Sequence, residues 1–214
     1  MDLMEKYVID TNFFFNLEIK SGFGKNSKEI IVNLTEIIKK LNPPAGGAKK
    51  AEFFMPQKIV DEFLSFFDSQ PDYVKDFLSQ VTIKSPDTSA LQFEARVFYK
   101  LIEDIRARSY RGLQIAEEEV VKAAEKMMGK EKRSKIEFQK NIGEVIKKLR
   151  ERYRQATRFG FLDSLADLDL ITLTKELDGF LVSSDEGVLK WGRVFGVKEI
   201  PADLFYKRLH SLLS

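Results

Sequence analysis

Hydrophobic residues follow two different spacings along the chain, and the two spacings alternate. Short apolar runs predict buried strands, and they occur in "KYVID", "AEFFMP", "FLVSSD" and "VKEIP". Apolar residues at helical spacing fill the segments "SKEIIVNLTEIIKKL", "QKIVDEFLSFF", "SQPDYVKDFLSQV", "LDSLADLDLITLTKELDG", "EGVLKWGRVFG" and "ADLFYKRLHSLL". The segment "TIKSPDTS" is predicted to be a connection. Strands that alternate with helices predict an α/β domain whose parallel sheet is flanked by helices.

The pattern changes at about residue 90. From there to Arg158 no segment has the spacing of a strand, and helical stripes run over 91–105 and 136–156 with a shorter helix between them. Gly112 and Gly129 are predicted to break the helices. We therefore expect an inserted, protruding all-helical subdomain at 90–158 within a discontinuous domain formed by 1–89 and 159–214. Narrow apolar stripes on long helices must be covered, either by each other or by another subunit.

The amino-acid composition excludes several classes of site. The 214 residues are 43% hydrophobic and 32% charged, which is enough to bury a core. With no cysteine and only His210, disulfides, thiolate metal sites and multi-histidine sites are excluded, and a Ser-His-Asp triad is disfavoured. No apolar run reaches the roughly 18 residues of a membrane span. The N-terminus also lacks the pattern of a signal peptide. We expect a cytoplasmic protein without a membrane partner.

Charge is distributed unevenly although the net charge is only +2. Residues 122–158 contain 13 Lys or Arg and 5 Asp or Glu, a net of +8, so the remaining residues carry −6. This asymmetry indicates a basic face for a polyanion beside an acidic region with a different role.

Several acids fall where a ligand site of an α/β domain is expected. Asp10 and Asp185 end predicted strands, at the sheet edge where ligands bind. Asp163 and Asp167 are four residues apart, so on a helix they would share one face. Glu62 lies on the helix that follows "FFM". An all-carboxylate cluster selects hard cations, Mg²⁺ or Mn²⁺, and such sites commonly act on phosphodiesters.

The neighbouring residues receive other interpretations. Asp169 should point away from the cluster, Glu176 should be solvated, and Asp178 before Gly179 is typical of a helix end. Polar residues flank the strand-end acids, and they either orient the carboxylates or cap the following helices: Thr11, Asn12, Ser183 and Ser184.

The ordered set of motifs resembles the PIN domain nucleases. "YVIDTNFF" stands near the start, "IVDEF" supplies an acid on a helix, and "DLDLITLTKELDGFLVSSDEG" follows near the end. In that family an acid opens a helix and a second acid ends the next strand about eighteen residues later, as Asp167 and Asp185 do. The motif "VDEF" offers both Asp61 and Glu62, and we prefer Glu62 because an apolar residue follows it, as in the family pattern.

The helical insertion and the additional Asp163 narrow the resemblance to the HARP family, the minimal protein-only ribonuclease P of bacteria and archaea. This resemblance extends over nearly the full chain. It implies a Mg²⁺-dependent endonuclease that removes the 5′ leader of precursor tRNA without an RNA subunit. It also implies that Asp10, Asp163, Asp167 and Asp185 are catalytic, and that the inserted helices pair subunits into a large homo-oligomer. The proposed metal ligands are these four aspartates and Glu62, and hydrolysis would leave 5′-phosphate and 3′-hydroxyl ends.

Basic residues near the end of the insertion suit the RNA backbone, which in a folded RNA is recognised by shape and phosphate. The candidates are Lys147, Lys148, Arg150, Arg152, Arg154 and Arg158. The alternative is a solvated helix face on which Glu144 and Glu151 are the ion-pair partners.

Two other functions fit the same motifs. One is a PIN ribonuclease that acts on another RNA, such as unstructured or ribosomal RNA. The other is a non-catalytic RNA-binding scaffold, against which the intact set of acids argues.

Overall fold

The central strand of the sheet begins in the apolar run near the N-terminus. The computed structural model describes residues 4–16, 22–43, 49–129, 134–158, 162 and 164–213. In order of position, its parallel sheet contains β3 (Thr82–Ile83), β2 (Ala51–Met55), β1 (Glu5–Ile9), β4 (Phe180–Val182) and β5 (Lys198–Glu199). The predicted parallel α/β sheet is thus confirmed.

The register places aromatic rings side by side across the middle of this sheet. Tyr7 of β1 lies opposite Phe53 on one side and Phe180 on the other, with ring centroids 5.5 and 5.7 Å away. Tyr7 to Ile9 are completely buried. A strand buried on both faces carries a continuous apolar run, which is why this segment was visible in the sequence.

The prediction of a connection at "TIKSPDTS" was wrong in its first two residues. Thr82 and Ile83 form β3, paired with Phe54 and Met55 of β2. Both residues of β3 are exposed, so this short edge strand carries no apolar signature.

Helices flank the sheet. Their bounds are α1 Asn12–Phe15, α2 Ser27–Leu41, α3 Gln57–Ser65, α4 Asp72–Gln80, α5 Ala95–Met127, α6 Lys135–Arg158, α7 Leu165–Leu177, α8 Glu186–Val194 and α9 Ala202–Leu213. Along the chain, two longer helices, α5 and α6, come between β3 and β4. Within the described residues, no helix is both long enough and apolar enough to span a membrane.

The chain forms two compact units. The first, called the PIN unit below, comprises Met1–Glu94 and Leu162–Ser214, and the second, called the helical unit, is Ala95–Phe161. The boundaries expected from sequence, at 89/90 and 158/159, lie a few residues earlier than these. The helical unit consists of α5 packed against α6.

The predicted helix break at Gly112 was wrong, because α5 runs through it without interruption. Gly112 is instead buried where α6 approaches: a Cβ built on it would stand 2.5 Å from Cε2 of Tyr153. The glycine permits close helix packing rather than a turn. Gly129, by contrast, follows the end of α5 with a φ of +69°, a conformation that glycine adopts readily.

Candidate functional site

Asp10 lies directly after β1, at the carboxyl edge of the sheet. Its backbone N–H donates to the carbonyl oxygen of Val182 over 2.9 Å, which ties it to β4. The side chain is 2% exposed. Oδ2 accepts a 2.5 Å hydrogen bond from the Ser183 hydroxyl, and the backbone N–H of Asn12 donates to Oδ1 over 3.4 Å. Both of these donors are uncharged.

The environment of Asp10 disfavours its ionised form. Burial raises its pKa most, the hydrogen bonds from Ser183 and Asn12 lower it in part, and the charges of Asp167 and Glu62 raise it again. The outcome is a pKa of about 7, against an ordinary value of 3.8. Burial and nearby like charge are the two causes that keep a carboxyl protonated. The carboxylates of Glu62 and Asp167 thus act on Asp10, although they come from different elements.

Glu62 reaches the site from α3. Thr11, next to Asp10, donates its hydroxyl to the carbonyl oxygen of Ile59 over 3.2 Å, which joins the start of α3 to the end of β1. Partial burial also raises the pKa of Glu62. Glu62 and the adjacent Asp61 are both exposed, and Asp61 accepts a 2.8 Å hydrogen bond from the Gln57 amide of its own helix. Glu62, rather than Asp61, is the acid of "VDEF" whose charge acts on Asp10.

Asp167 enters from the first turn of α7. Its backbone N–H donates to Oγ of Ser164, the N-cap, over 3.0 Å. The helix begins at Leu165 with Ser164 as its cap, and the predicted shared helical face of Asp163 and Asp167 cannot be followed because residue 163 is outside the described residues. The place of Asp163 in the site therefore remains a prediction.

Asp185 is connected to Asp10 through one hydroxyl. It caps α8, because its Oδ1 accepts from the N–H of Val188 over 2.9 Å. Its own N–H donates to Ser183 Oγ over 3.0 Å, and that hydroxyl donates in turn to Asp10. Ser183, which is 2% exposed, therefore orients both Asp10 and Asp185. The sequence suggested this role only as one of two alternatives. Asp185 was expected to end a strand, but β4 already ends at Val182.

The acids Asp10, Glu62, Asp167 and Asp185 offer oxygen ligands alone, the donor set that hard divalent cations prefer. Negative charges that face a buried carboxylate are also stabilised by a cation, so the chemistry of the residues fits such an ion. Among the described residues, which do not include Asp163, no three acidic, histidine or cysteine side chains stand close enough together to hold a metal ion.

The other acids of the segment have separate partners. Asp169 forms a 2.7 Å ion pair with Lys58 of α3. Glu176, expected to be solvated, was assigned wrongly: it accepts from Lys84 Nζ at 2.6 Å and from the N–H of Asp87 at 2.7 Å. Asp178 ends α7 in the left-handed conformation, as predicted for a helix end.

Lys58 is a residue whose role the sequence did not reveal. It stands one helical turn before Glu62 on α3, while its partner Asp169 follows Asp167 by two residues on α7. The ion pair therefore joins the two helices that bring Glu62 and Asp167 to the site. The sequence shows that Lys58 stands four residues before Glu62, but it does not show that Lys58 pairs with Asp169, which is 111 residues away.

The candidate RNA-binding residues of the helical unit fall into two groups. Lys147, Arg150 and Arg154 line one shallow depression of about 620 Å³ on α6, together with Ile146 and Glu151. The Arg152 guanidinium contacts α5 instead, at 2.6 Å from a carboxylate oxygen of Glu118 and 2.6 Å from one of Glu119.

Arg152 therefore joins the two helices of the unit, a contact that the sequence did not predict. Lys148 is exposed. Arg158 ends α6, and its side chain lies outside what the structure describes.

Comparison with known proteins gives consistent matches over most of the chain. A family model described as PINc domain ribonuclease matches residues 6–214. A protein of Thermodesulfovibrio yellowstonii is 35% identical over 97% of this chain and 95% of its own length. Relatives from Thermococcus kodakarensis and Nitrosococcus oceani are 35% and 36% identical, covering 97% and 99% of this chain and 96% and 97% of their own lengths. All three relatives are named RNA-free ribonuclease P.

Proposed function

Because the chain belongs to the RNA-free ribonuclease P family of PIN domain ribonucleases, we propose that it removes the 5′ leader of precursor tRNA. It is a hydrolase, an endoribonuclease of the protein-only ribonuclease P type. The proposed reaction hydrolyses one phosphodiester and leaves 5′-phosphate and 3′-hydroxyl ends. We further propose that the enzyme works in the cytoplasm.

One observation supports placing the catalytic site at the carboxyl edge of the sheet. The charges of Glu62 and Asp167 converge on Asp10, which is buried and held by uncharged donors. The charges of Glu62 and Asp167 both raise the cost of ionising Asp10, so they do not stabilise the fold. Such an arrangement is typical of a site whose ligand brings positive charge.

PIN nucleases generally depend on a divalent metal. We propose that Asp10, Asp163, Asp167, Asp185 and Glu62 hold Mg²⁺, with Mn²⁺ as the alternative. When bound, such an ion supplies charge stabilisation to the scissile phosphate and favours attack by water.

The protein's part of the mechanism is to position oxygen ligands and control their protonation. Ser183 fixes the Asp10 carboxylate from one side, and Asn12 holds its other oxygen. The same serine orients the backbone of Asp185. Burial keeps water from solvating Asp10, so its negative charge is most favourable when a cation is present.

For RNA binding we propose Lys147, Lys148, Arg150, Arg154 and Arg158. The first, third and fourth of these line the same depression on α6, and cationic side chains on one helix face suit the phosphates of a folded RNA. Arg152 was also a candidate, and its two ion pairs to Glu118 and Glu119 support a structural role for it instead.

We also propose self-association into a large homo-oligomer through the inserted helices. The helical unit exposes large apolar side chains along both helices, among them Tyr99 at 73%, Ile102 at 58% and Ile136 at 78%. Light scattering of the wild type and of the Ile102→Glu variant tests this proposal. A monomer independent of concentration in both samples would refute it.

The decisive experiment maps the 5′ end of the product from a precursor tRNA, with and without Mg²⁺, using protein free of host ribonuclease P. The expected product begins at the first nucleotide of mature tRNA, and Asp167→Asn should abolish cleavage while RNA binding persists. Cleavage of unstructured RNA with no preference for the leader junction would support the other PIN ribonuclease. Absence of both cleavage and Mg²⁺ binding would support the scaffold.

A further inference from the structure

Two phenylalanine rings lie stacked on one another at the surface of the PIN unit. Phe15 is the last residue of α1 and Phe66 is the C-cap of α3. Their ring centroids are 4.1 Å apart and their planes are inclined by 16°. Phe66 remains 54% exposed although one of its faces lies against Phe15. A large part of this ring is thus available to a further flat partner.

The ring beneath Phe66 is held by the core. Phe15 contacts Phe63 and Phe67, with ring centroids 6.0 and 5.9 Å away. Phe63 is completely buried and also contacts Phe14 at 5.1 Å. The Phe15–Phe66 pair therefore rests on packed aromatic residues, and little conformational freedom remains to be lost when a ligand stacks on it.

Both rings belong to segments that also carry acids of the proposed site. Phe66 follows Glu62 by four residues, which corresponds to about 6 Å along the helix and a return to nearly the same face. Phe15 is on α1, which begins two residues after Asp10. The hydrogen bond from Thr11 Oγ1 to the Ile59 carbonyl holds these two segments together. An exposed aromatic ring therefore stands about one helical turn from an acid that acts on Asp10.

We propose that Phe66, supported by Phe15, is a stacking platform for an unpaired nucleobase adjoining the scissile phosphate. This inference rests on the proposed function and deepens it. Aromatic side chains bind unpaired bases by stacking on their faces, with little preference among the four bases. The bases of the acceptor stem are already stacked and paired, and among the unpaired bases near the cut we assign the one that binds Phe66 to the leader, because it adjoins the scissile phosphate. The platform orients the leader while the carboxylates act on the phosphate.

The test combines protein variants with altered substrates. The variants are Phe66→Ala, Phe66→Tyr and, as a control, Leu204→Ala, which removes an exposed apolar side chain of α9 in the same unit. The substrates are a precursor tRNA with an intact leader and one with abasic residues at the leader nucleotides nearest the cut. Phe66→Ala should lower kcat/KM on the intact leader by roughly tenfold, the size expected for one stacked base. The tyrosine variant and the control should cleave like the wild type.

The abasic substrate separates stacking from general damage. The wild type should cleave it about as slowly as Phe66→Ala cleaves the intact substrate, and Phe66→Ala should not distinguish the two substrates. If the losses from the variant and from the abasic leader multiply, or if Phe66→Ala cleaves the intact leader at the wild-type rate, the platform is refuted.

Failure of the proposed function would be recognised separately, because the wild type would then leave precursor tRNA uncut. Binding of an unstructured RNA oligonucleotide, with or without abasic residues and followed by fluorescence anisotropy, still tests the platform in that case. Weaker binding by Phe66→Ala to the intact oligonucleotide alone supports it, and equal binding by variant and wild type overturns it.

Discussion

The hydroxyl of Ser183 joins Asp10 to Asp185, because it donates to Asp10 Oδ2 over 2.5 Å and accepts from the N–H of Asp185 over 3.0 Å. Both Ser183 and Asp10 are buried. In metal sites, the groups that orient the ligands matter nearly as much as the ligands. Ser183 is thus a positioning residue for the proposed carboxylate cluster.

Replacing Ser183 with alanine should lower the cleavage rate by roughly tenfold to a hundredfold, as the loss of an outer-shell partner usually does. The hydrogen bond from Ser183 lowers the pKa of Asp10, so its removal should raise that pKa. The acid limb of the pH–rate profile should consequently move to higher pH. Ser183→Thr keeps the hydroxyl and should keep the profile.

Ser184→Ala is the matched control for that variant, since the Ser184 hydroxyl donates to the Asn12 carbonyl oxygen and not to an acid. It should leave the acid limb in place. A pH profile that is the same for Ser183→Ala and for the wild type would show that Ser183 does not act through Asp10.

Asp10 should make stability depend on pH when chelator keeps metal away. Its folded pKa is about 7 against 3.8 ordinarily, so the folded chain binds the proton more tightly than the unfolded chain. The resulting stabilisation is complete below the unfolded value and is lost as pH rises through about 7. Asp10→Asn cannot ionise, so it should be more stable than the wild type at pH 8, by a few kcal/mol.

The advantage of Asp10→Asn should vanish near pH 3, below the unfolded value of 3.8, where the wild-type carboxyl is largely protonated in both states. Urea unfolding at the two pH values, in chelator, measures it. Adding Mg²⁺ at pH 8 should stabilise the wild type and leave Asp10→Asn nearly unchanged. Equal stability of the two proteins at both pH values would contradict the assigned ionisation of Asp10.

The spacing of apolar residues was sufficient to predict the buried strands and the order of strands and helices. The apolar run that ends at Asp10 indicated β1, and the alternation of strands and helices indicated the parallel sheet. The strand β3 was missed because Thr82 and Ile83 are both exposed. Gly112 was taken for a break because the sequence does not show that a tyrosine ring packs against it.

Contacts between residues far apart in the sequence could not be predicted from residue spacing. Glu176 was expected to be solvated, yet it pairs with Lys84, which is 92 residues away. Arg152 was a candidate for RNA, yet it pairs with Glu118 and Glu119 on the preceding helix. In each case the charge itself was evident, but its partner depends on how the helices pack.

Breaking the Lys58–Asp169 ion pair should weaken the response of cleavage to Mg²⁺. It joins α3 to α7, the helices that carry Glu62 and Asp167. Asp169→Asn should leave the free energy of unfolding within about 1 kcal/mol, as for other pairs with an exposed partner. It should nevertheless raise the Mg²⁺ concentration needed for half-maximal cleavage several-fold, since the two acids are no longer held in register.

Restoring the pair in reverse, with Lys58→Asp and Asp169→Lys together, should recover part of the Mg²⁺ response. The control is Asp76→Asn, which breaks the 2.7 Å pair with Lys39 between α2 and α4. Asp76→Asn should not change the Mg²⁺ concentration needed for half-maximal cleavage. Calorimetric titration with Mg²⁺ measures binding without cleavage, and an unchanged affinity in Asp169→Asn would exclude the positioning role.

Gly112 and Gly143 offer opposite outcomes for the same substitution within the helical unit. A Cβ at Gly112 would come 2.5 Å from the Tyr153 ring, whereas nothing lies within 4 Å of one at Gly143. Gly112→Ala should therefore destabilise the unit by about 1–3 kcal/mol through overpacking. Gly143→Ala in α6 should stabilise it by up to about 1 kcal/mol, because alanine favours helix.

Thermal unfolding of both alanine variants measures these differences, and truncation of the opposing ring provides the rescue. In a Tyr153→Leu background the clash is removed, so adding Gly112→Ala should cost much less than it does in the wild type. Non-additivity of this kind is expected for residues in contact. If Gly112→Ala is equally destabilising in both backgrounds, the close approach of Tyr153 is not the reason for the glycine.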